Sequence, residues 1–378
     1  MILPGSTLGM LGGGQLGRMF THAATAMGYR VAVLDPSPSS PAGEIAHLHL
    51  QADYEDKQAL SKLVKECAVI TTEFENVPAE VLEHLQNDCR VYPAAGAVGI
   101  AQSRIREKRF AQSLGIPCTA YHPVCSKQDI EQAFKEIGPD LILKTDRFGY
   151  DGKGQVVVKN AEQAIQAWKD LGAVECILEK VIDLQTEISS VLARSSTGEI
   201  SYFEIAENIH RKGILFTSTV PAHVDEATRQ LARHHAQKIA EDLNYCGVLA
   251  TEYFIDRNND LYFNEMAPRT HNSGHYTIDA CYTSQFEQQV RAICGLSLGS
   301  AVTHSAVTMV NILGDLWQEG EPRWCDIIDD PHVKLHLYGK QQARPGRKMG
   351  HFCVLAPPGE DTLVQAERMY SRLQPKFE

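Results

Sequence analysis

The sequence predicts an α/β protein: a parallel βαβ domain at the N-terminus leads into an α+β region of antiparallel hairpins and a small C-terminal segment. Three stretches carry that prediction. A strand at Thr7–Leu11 runs into the turn Gly12-Gly13-Gly14-Gln15-Leu16-Gly17, a helix over 18–27 and a second strand over 30–34. Apolar strands over 141–144 and 156–158 flank a loop with three glycines. Strands over 248–256 and 261–267 are joined by four polar residues, which makes a hairpin.

Bulk properties narrow the class. A chain of 378 residues builds two or three domains, and 43% hydrophobic with 22% charged residues is ordinary globular composition. The net charge of −11 argues against a general nucleic-acid binder, which presents a basic face. Ten cysteines are scattered without a C-x-x-C pair, so they read as reduced core residues. There is no basic segment followed by an apolar run at the N-terminus, and no apolar stretch approaches about eighteen residues. A soluble, cytoplasmic protein without membrane partners is expected.

The first element, strand–glycine turn–helix–strand ending at Asp35, matches the dinucleotide fingerprint. The glycines make a tight turn and leave helix N-terminal amides for an anion. NAD binding, a purely structural turn and a loop for another substrate all fit it. Farther on, a strand over 68–72 ends in Glu73-Phe74-Glu75-Asn76, where open α/β sheets bind ligands; Glu75 and Asn76 fit equally as caps of the next helix. The small-residue run 94–99 after Tyr92-Pro93 marks a domain boundary.

Basic and polar helices are predicted over 104–114 and 127–137, then a strand ending at Lys144. The loop after it contains Gly149, Tyr150, Asp151, Gly152, Lys153, Gly154 and Gln155, and it returns as a strand. Because it joins two strands, it is neither a P-loop nor a Rossmann turn. It reads as a lid whose amides and Lys153 close over phosphates. Strands follow over 176–182, 187–191 and 201–206, and 207–213 is a polar turn. Glu179 could face an adenine edge, while a lone Glu187 reads as a solvated strand position.

The hairpin supplies a metal site. With Asp256 and Leu261 as its closing pair, counting back four residues on each strand sets Glu252 opposite Glu265. Like charges directly opposed are destabilising, and a divalent cation is the compensation the spacing suggests. Two solvated edge glutamates are the plainer reading. The strand then runs into Asn264-Glu265-Met266-Ala267-Pro268-Arg269-Thr270-His271-Asn272-Ser273-Gly274-His275, a polar mixture for which a core strand has no use.

In this order the pieces resemble the ATP-grasp superfamily. Four motifs, GGGQLGRM at 12–19, GYDGKGQ at 149–155, NEMAPRTHNSGH at 264–275 and RPGRK at 344–348, resemble its purine-biosynthetic N5-carboxyaminoimidazole ribonucleotide synthetase family. The resemblance implies a Rossmann-like domain over 1–95, a lid domain over 96–180 and a large domain with the metal site over 181–300. A substrate-phosphate segment over 301–378 packs on the large domain. It implies ATP contacts from Arg104, Lys144, the lid, Glu179, Lys180, Val181, Ile182, Glu187, His210, Asn264 and Glu265. Mg²⁺, with Mn²⁺ as the alternative ion, falls to Glu252 and Glu265. Lys153, Asp151, Tyr150, Arg269 and His271 become the catalytic set. Gly14, Gln15, Glu73, Asn76, Asn272, Ser273, Lys340, Arg344, Arg347 and Lys348 become ribonucleotide contacts, the last four suited to its 5′-phosphate.

The implied reaction joins bicarbonate to 5-aminoimidazole ribonucleotide through carboxyphosphate, with release of ADP and phosphate, in a homodimer. The rivals are a formate-dependent glycinamide ribonucleotide transformylase, an NAD-dependent oxidoreductase resting on the glycine turn and Asp35, and a non-catalytic nucleotide-binding module.

Overall fold

The computed structural model describes residues 1–149 and 152–374; Tyr150 and Asp151 of the expected lid lie outside the described residues. β1 (Thr7–Leu11), β2 (Arg30–Leu34), β3 (Leu48–Leu50) and β4 (Val69–Thr72) form a parallel sheet in the order β3-β2-β1-β4. Both faces are covered, which is why these strands read as unbroken apolar runs. Leu8, Met10, Val31 and Val33 pack with Leu16, Met19 and Phe20 of the helix Gln15–Ala26. Leu11, Ala32 and Leu34 pack with Leu60 and Leu63 of the helix Lys57–Glu66.

The turn after β1 is closed by the chain's own carboxylates. Gly17 N–H donates to Glu73 Oε2 at 2.7 Å and Gly14 N–H donates to Glu73 Oε1. Gly13 N–H donates to Asp35 Oδ2 at 2.7 Å, and the Tyr54 hydroxyl donates to the same oxygen at 3.0 Å. A bound dinucleotide would need these amides for its pyrophosphate and the acid for its ribose. Both are already engaged, so the NAD reading is overturned. The approach is close enough to demand glycine: a Cβ on Gly13 would lie 2.5 Å from Ser40 Oγ. Gly13→Ala is therefore expected to cost about 1–3 kcal/mol, read as a lower urea midpoint at unchanged m-value.

The small-residue run expected at a domain boundary is helical. It forms the helix Ala95–Ala101, which seats Ala95 and Val98 in the N-terminal core and Ala97 in the central one.

β5 (Tyr121–Val124), β6 (Leu141–Thr145), β7 (Gln155–Val158) and β8 (Cys176–Lys180) form a second, antiparallel sheet in the order β5-β8-β6-β7. The glycine loop connects β6 to β7, with Lys144 paired to Gln155 at its neck. The helices Lys127–Glu136 and Ala161–Asp170 cover one face through Ile130, Ala133, Ala164 and Ala167.

The third sheet has nine strands: β9 (Leu184–Arg194), β10 (Ile200–Tyr202), β11 (Ala206–Arg211), β12 (Ile214–Val220), β13 (Gly247–Asp256), β14 (Leu261–Ala267), β15 (Ala306–Leu313), β16 (Val333–Leu337) and β17 (Lys348–Ala356). Its order is β14-β13-β9-β11-β12-β15-β17-β16, with β10 beside β9. The C-terminal strands continue this sheet, because β15 pairs antiparallel with β12. Two local readings are corrected. The strand expected over 201–206 stops at Tyr202, and the expected polar turn at 207–213 is mostly β11. Only Lys212 and Gly213, both at positive φ, make the turn. No described helix is long and apolar enough to cross a membrane.

Candidate active site

Glu252 does sit opposite Glu265, through two departures that offset each other. The tip closes at Ile255–Leu261, because Asp256 Oδ1 accepts from Asn258 and Asp260 N–H, at 2.9 Å each, and is drawn into the loop. The register then shifts between Glu252 and Tyr253: Tyr253 pairs with Phe263, leaving Asn264 as a bulge. Phe263 and Met266 stay in the core, and Asn264 and Glu265 line the cleft between them.

That cleft has a volume of about 500 Å³ and opens between all three sheets. Arg104, Lys144, Gly149, Gly152, Lys153 and Gln155 line it from the lid side. Glu187, His210, Glu252, Asn264, Glu265, Arg269, His271, Asn272 and Lys348 line it from the large sheet, and Gln15, Glu73 and Asn76 from the N-terminal domain. Sequence positions more than 300 residues apart, Gln15 and Lys348, thus share one surface.

Burial, and then the Glu265 carboxylate, push the Glu252 carboxyl up to about 7. His271 Nε2 lies 3.3 Å from Glu252 Oε1, while its Nδ1 accepts the Ser273 N–H at 3.3 Å. With Nδ1 an acceptor, the ring proton is on Nε2 and points at Glu252. Burial, followed by Arg269 and Lys348, holds His271 well below the ordinary histidine range, so the ring is neutral. His210 behaves oppositely: burial lowers it, but Glu187, 2.9 Å from Nδ1, and Glu252 outweigh this and raise it. Arg104 joins hairpin to lid, donating to Glu265 Oε2 at 2.9 Å and to the Gly149 carbonyl at 3.2 Å.

A divalent cation fits this donor set. Two opposed carboxylates meet with one driven toward protonation, and Asn264 Oδ1, a hard oxygen in the same wall, is buried without a partner. Such all-oxygen donors suit Mg²⁺. Both side-chain polar atoms of Asn272, which lines the same cleft, are likewise buried without a protein partner.

Several residues expected at the site fall outside the lining of this cleft. Glu179 is not in the lining: it is buried beneath it, 3.2 Å from Lys144 Nζ and 3.3 Å from Lys108 Nζ. Gly154, Lys180, Val181 and Ile182 also lie outside the lining, and the N–H groups of Lys180 and Val181 already donate to the Ala120 and Asp140 carbonyls. Ser273 is buried behind His271, outside the lining, with its hydroxyl 2.7 Å from Ser189 Oγ and 2.9 Å from His271 Nδ1, where it positions the imidazole. Gly14 N–H donates to Glu73, and Gly14 lines a second cleft rather than this one.

Two residues hold site groups in place through ion pairs that the sequence reading did not assign. Lys108 lies on the buried stripe with Ile105 and Ala111 in the helix Arg104–Ser113, so a cation at that spacing was a readable sign of a buried ion pair. Glu75 holds Arg269 in a bidentate pair, Nη2 to Oε1 at 3.1 Å, and so does more than cap a helix. Its place just past the end of β4 is the ligand-facing position of an open α/β sheet, but its partner Arg269 is set by the fold.

A second cleft, of about 440 Å³, lies between the glycine turn and the loop joining β16 to β17. Lys340, Arg344 and Arg347 face it, whereas Lys348 faces the larger cleft. Gln15 and Glu73 line both, so the two spaces adjoin.

A glycine lid over an antiparallel sheet, a buried lysine–glutamate pair and an acidic hairpin define an ATP-grasp ligase. The ATP-grasp domain model matches residues 109–286, the ribonucleotide synthetase preATP-grasp domain 5–102, and the phosphoribosylaminoimidazole carboxylase C-terminal domain 307–365. The chain is 43% identical to the N5-carboxyaminoimidazole ribonucleotide synthase of Bacillus subtilis over 97% of its length and 95% of the relative's. It superposes on an ADP complex of an N5-carboxyaminoimidazole ribonucleotide synthetase with a TM-score of 0.92, at 40% identity, covering 98% and 97% of the two chains. On the Aspergillus clavatus synthase with ADP and 5-aminoimidazole ribonucleotide the TM-score is 0.87, at 28% identity and 97% coverage of both. The chain belongs to the N5-carboxyaminoimidazole ribonucleotide synthase family, whose members couple ATP to carboxylation of 5-aminoimidazole ribonucleotide in purine biosynthesis.

Proposed function

We propose that the chain phosphorylates bicarbonate with ATP and transfers the carboxyl group to the exocyclic amine of 5-aminoimidazole ribonucleotide. The observation that supports this most is the pair of adjoining clefts. One has lid amides, Lys144, Lys153 and opposed carboxylates suited to a metal-bound triphosphate; the other has three cations suited to a ribonucleotide phosphate.

A bicarbonate oxygen attacks the γ-phosphorus, and the bond to ADP breaks, giving carboxyphosphate. The amine nitrogen then attacks the carboxyl carbon, the C–O bond to phosphate breaks, and the departing phosphate dianion takes up the proton that the amine loses. Mg²⁺ held by Glu252 and Glu265 would supply charge neutralisation at the phosphates. Lys144 and Lys153 offset charge on the transferred group. Arg269, aligned by Glu75, orients the carboxylate-bearing substrate. Neutral His271, with Nε2–H directed at Glu252, keeps that carboxylate in place. Closure of the glycine lid excludes water from carboxyphosphate.

Protein, Mg-ATP, bicarbonate and 5-aminoimidazole ribonucleotide are expected to release ADP only when all are present. ADP release that ignores the ribonucleotide, or that instead requires formate with glycinamide ribonucleotide, would sink the assignment.

A further inference from the structure

Among the described residues, one group of metal-ligating side chains lies outside both clefts. Asp279, of the short helix Thr277–Ala280, meets His336 of β16 and His351 of β17, with one ligand atom of each within 4.8 Å of the others. His351 is fully buried. The Tyr338 hydroxyl engages its Nδ1 at 2.8 Å, and its Nε2 has no partner. A hydrogen-bonded Nδ1 with a bare Nε2 is how metal-binding imidazoles are oriented. His336 Nε2 lies 2.8 Å from Asp279 Oδ2.

We propose that Asp279, His336 and His351 bind a transition-metal dication, with zinc the ion that best suits two imidazoles and a carboxylate. Metal–ligand bonds of about 2.0–2.1 Å in a tetrahedron set ligand atoms about 3.3 Å apart. The Asp279–His336 contact therefore opens slightly. The two rings, now stacked with centroids 4.6 Å apart, fan outward.

The position gives the ion a task. β16 is the edge strand of the large sheet, and His336 pairs directly with His351 across it. Between these strands runs the loop that presents Lys340, Arg344 and Arg347 to the smaller cleft. A metal there staples both ends of that loop to the helix Thr277–Ala280. The consequence for ribonucleotide binding rests on the function proposed above; the binding of the ion does not.

The test uses full-length, tag-free protein stripped with a chelator and titrated with Co²⁺, then Zn²⁺. One Co²⁺ per chain with the visible d–d absorption of a tetrahedral site is expected, bleached by an equivalent of zinc. His351→Gln and Asp279→Asn should each weaken zinc more than about tenfold, with folding checked by circular dichroism. Absence of the absorption in the unmutated protein overturns the proposal and requires no variant. So does uptake that survives His351→Gln but is lost in Glu252→Gln, which would place the ion on the hairpin carboxylates. Neither result bears on the ADP-release assay, so failure of this site and failure of the assigned reaction are distinguishable.

Discussion

Replacing Glu265 by glutamine is expected to lower ADP release by about a hundred- to a thousandfold while leaving the chain folded. The substitution keeps the shape and removes one of the two opposed anions. The Arg104–Glu265 contact is lost, but Glu265 is 40% exposed and such a pair is worth at most about 1 kcal/mol. Against that loss, Glu252 is relieved of the neighbour that, after burial, drives it up to about 7. The sign of the pH effect follows. A carboxyl raised on folding stabilises the protein at low pH, and that contribution is lost as pH rises from its unfolded value, near 4.5, through about 7. In the presence of chelator, urea midpoints of the unmutated protein should therefore fall between about pH 5 and about pH 8, and those of Glu265→Gln should fall less. Undiminished turnover in the variant would remove Glu265 from the metal site.

The same hairpin shows what a sequence does and does not disclose. Its strands are legible because apolar residues bracket a polar tip, and β14 has the bounds its composition predicts. The register is a different matter. It depends on Asp256 folding into the loop and on Asn264 bulging out, both side-chain events that a period-two pattern cannot encode. The expected pair is correct because the two displacements cancel. The glycine turn illustrates a second limit. G-x-G-x-x-G prescribes free amides and close approach, but not whether they receive a phosphate or the carboxylate of Glu73, 56 residues beyond Gly17. β11 escaped detection for a third reason. It is a central strand with a polar lining, Asn208 accepting from Ser218 at 2.7 Å in the core, and polarity alone made it look like a turn. The lid was readable throughout its flanks, since two short apolar runs joined by glycines have only an antiparallel pairing open to them.

Glu179→Gln is expected to destabilise the protein by about 3–5 kcal/mol, the largest single stability effect at the site. Lys108 and Lys144 are both buried and share Glu179 Oε2, at 3.3 Å and 3.2 Å. Burial alone would raise the Glu179 carboxyl; Lys108, Lys144 and Arg104 overcome it and depress the group to about 2. A depression of that size corresponds to about 3 kcal/mol, in line with the cost of stranding two ammonium groups. Because the folded value is lowered, the contribution is complete above about 4.5 and is lost as pH falls toward about 2. Urea titrations should thus show the two proteins far apart at neutral pH and converging in acid. Adding Lys108→Met to Glu179→Gln should recover part of the loss, since one of the two uncompensated charges is removed with its partner. If the double variant is no more stable than the single one, the lysines do not share the carboxylate's charge. The pairing also favours the charged form of Lys144 where it faces the cleft. Burial and two neighbouring positive charges lower it, and Glu179 is the group that opposes them.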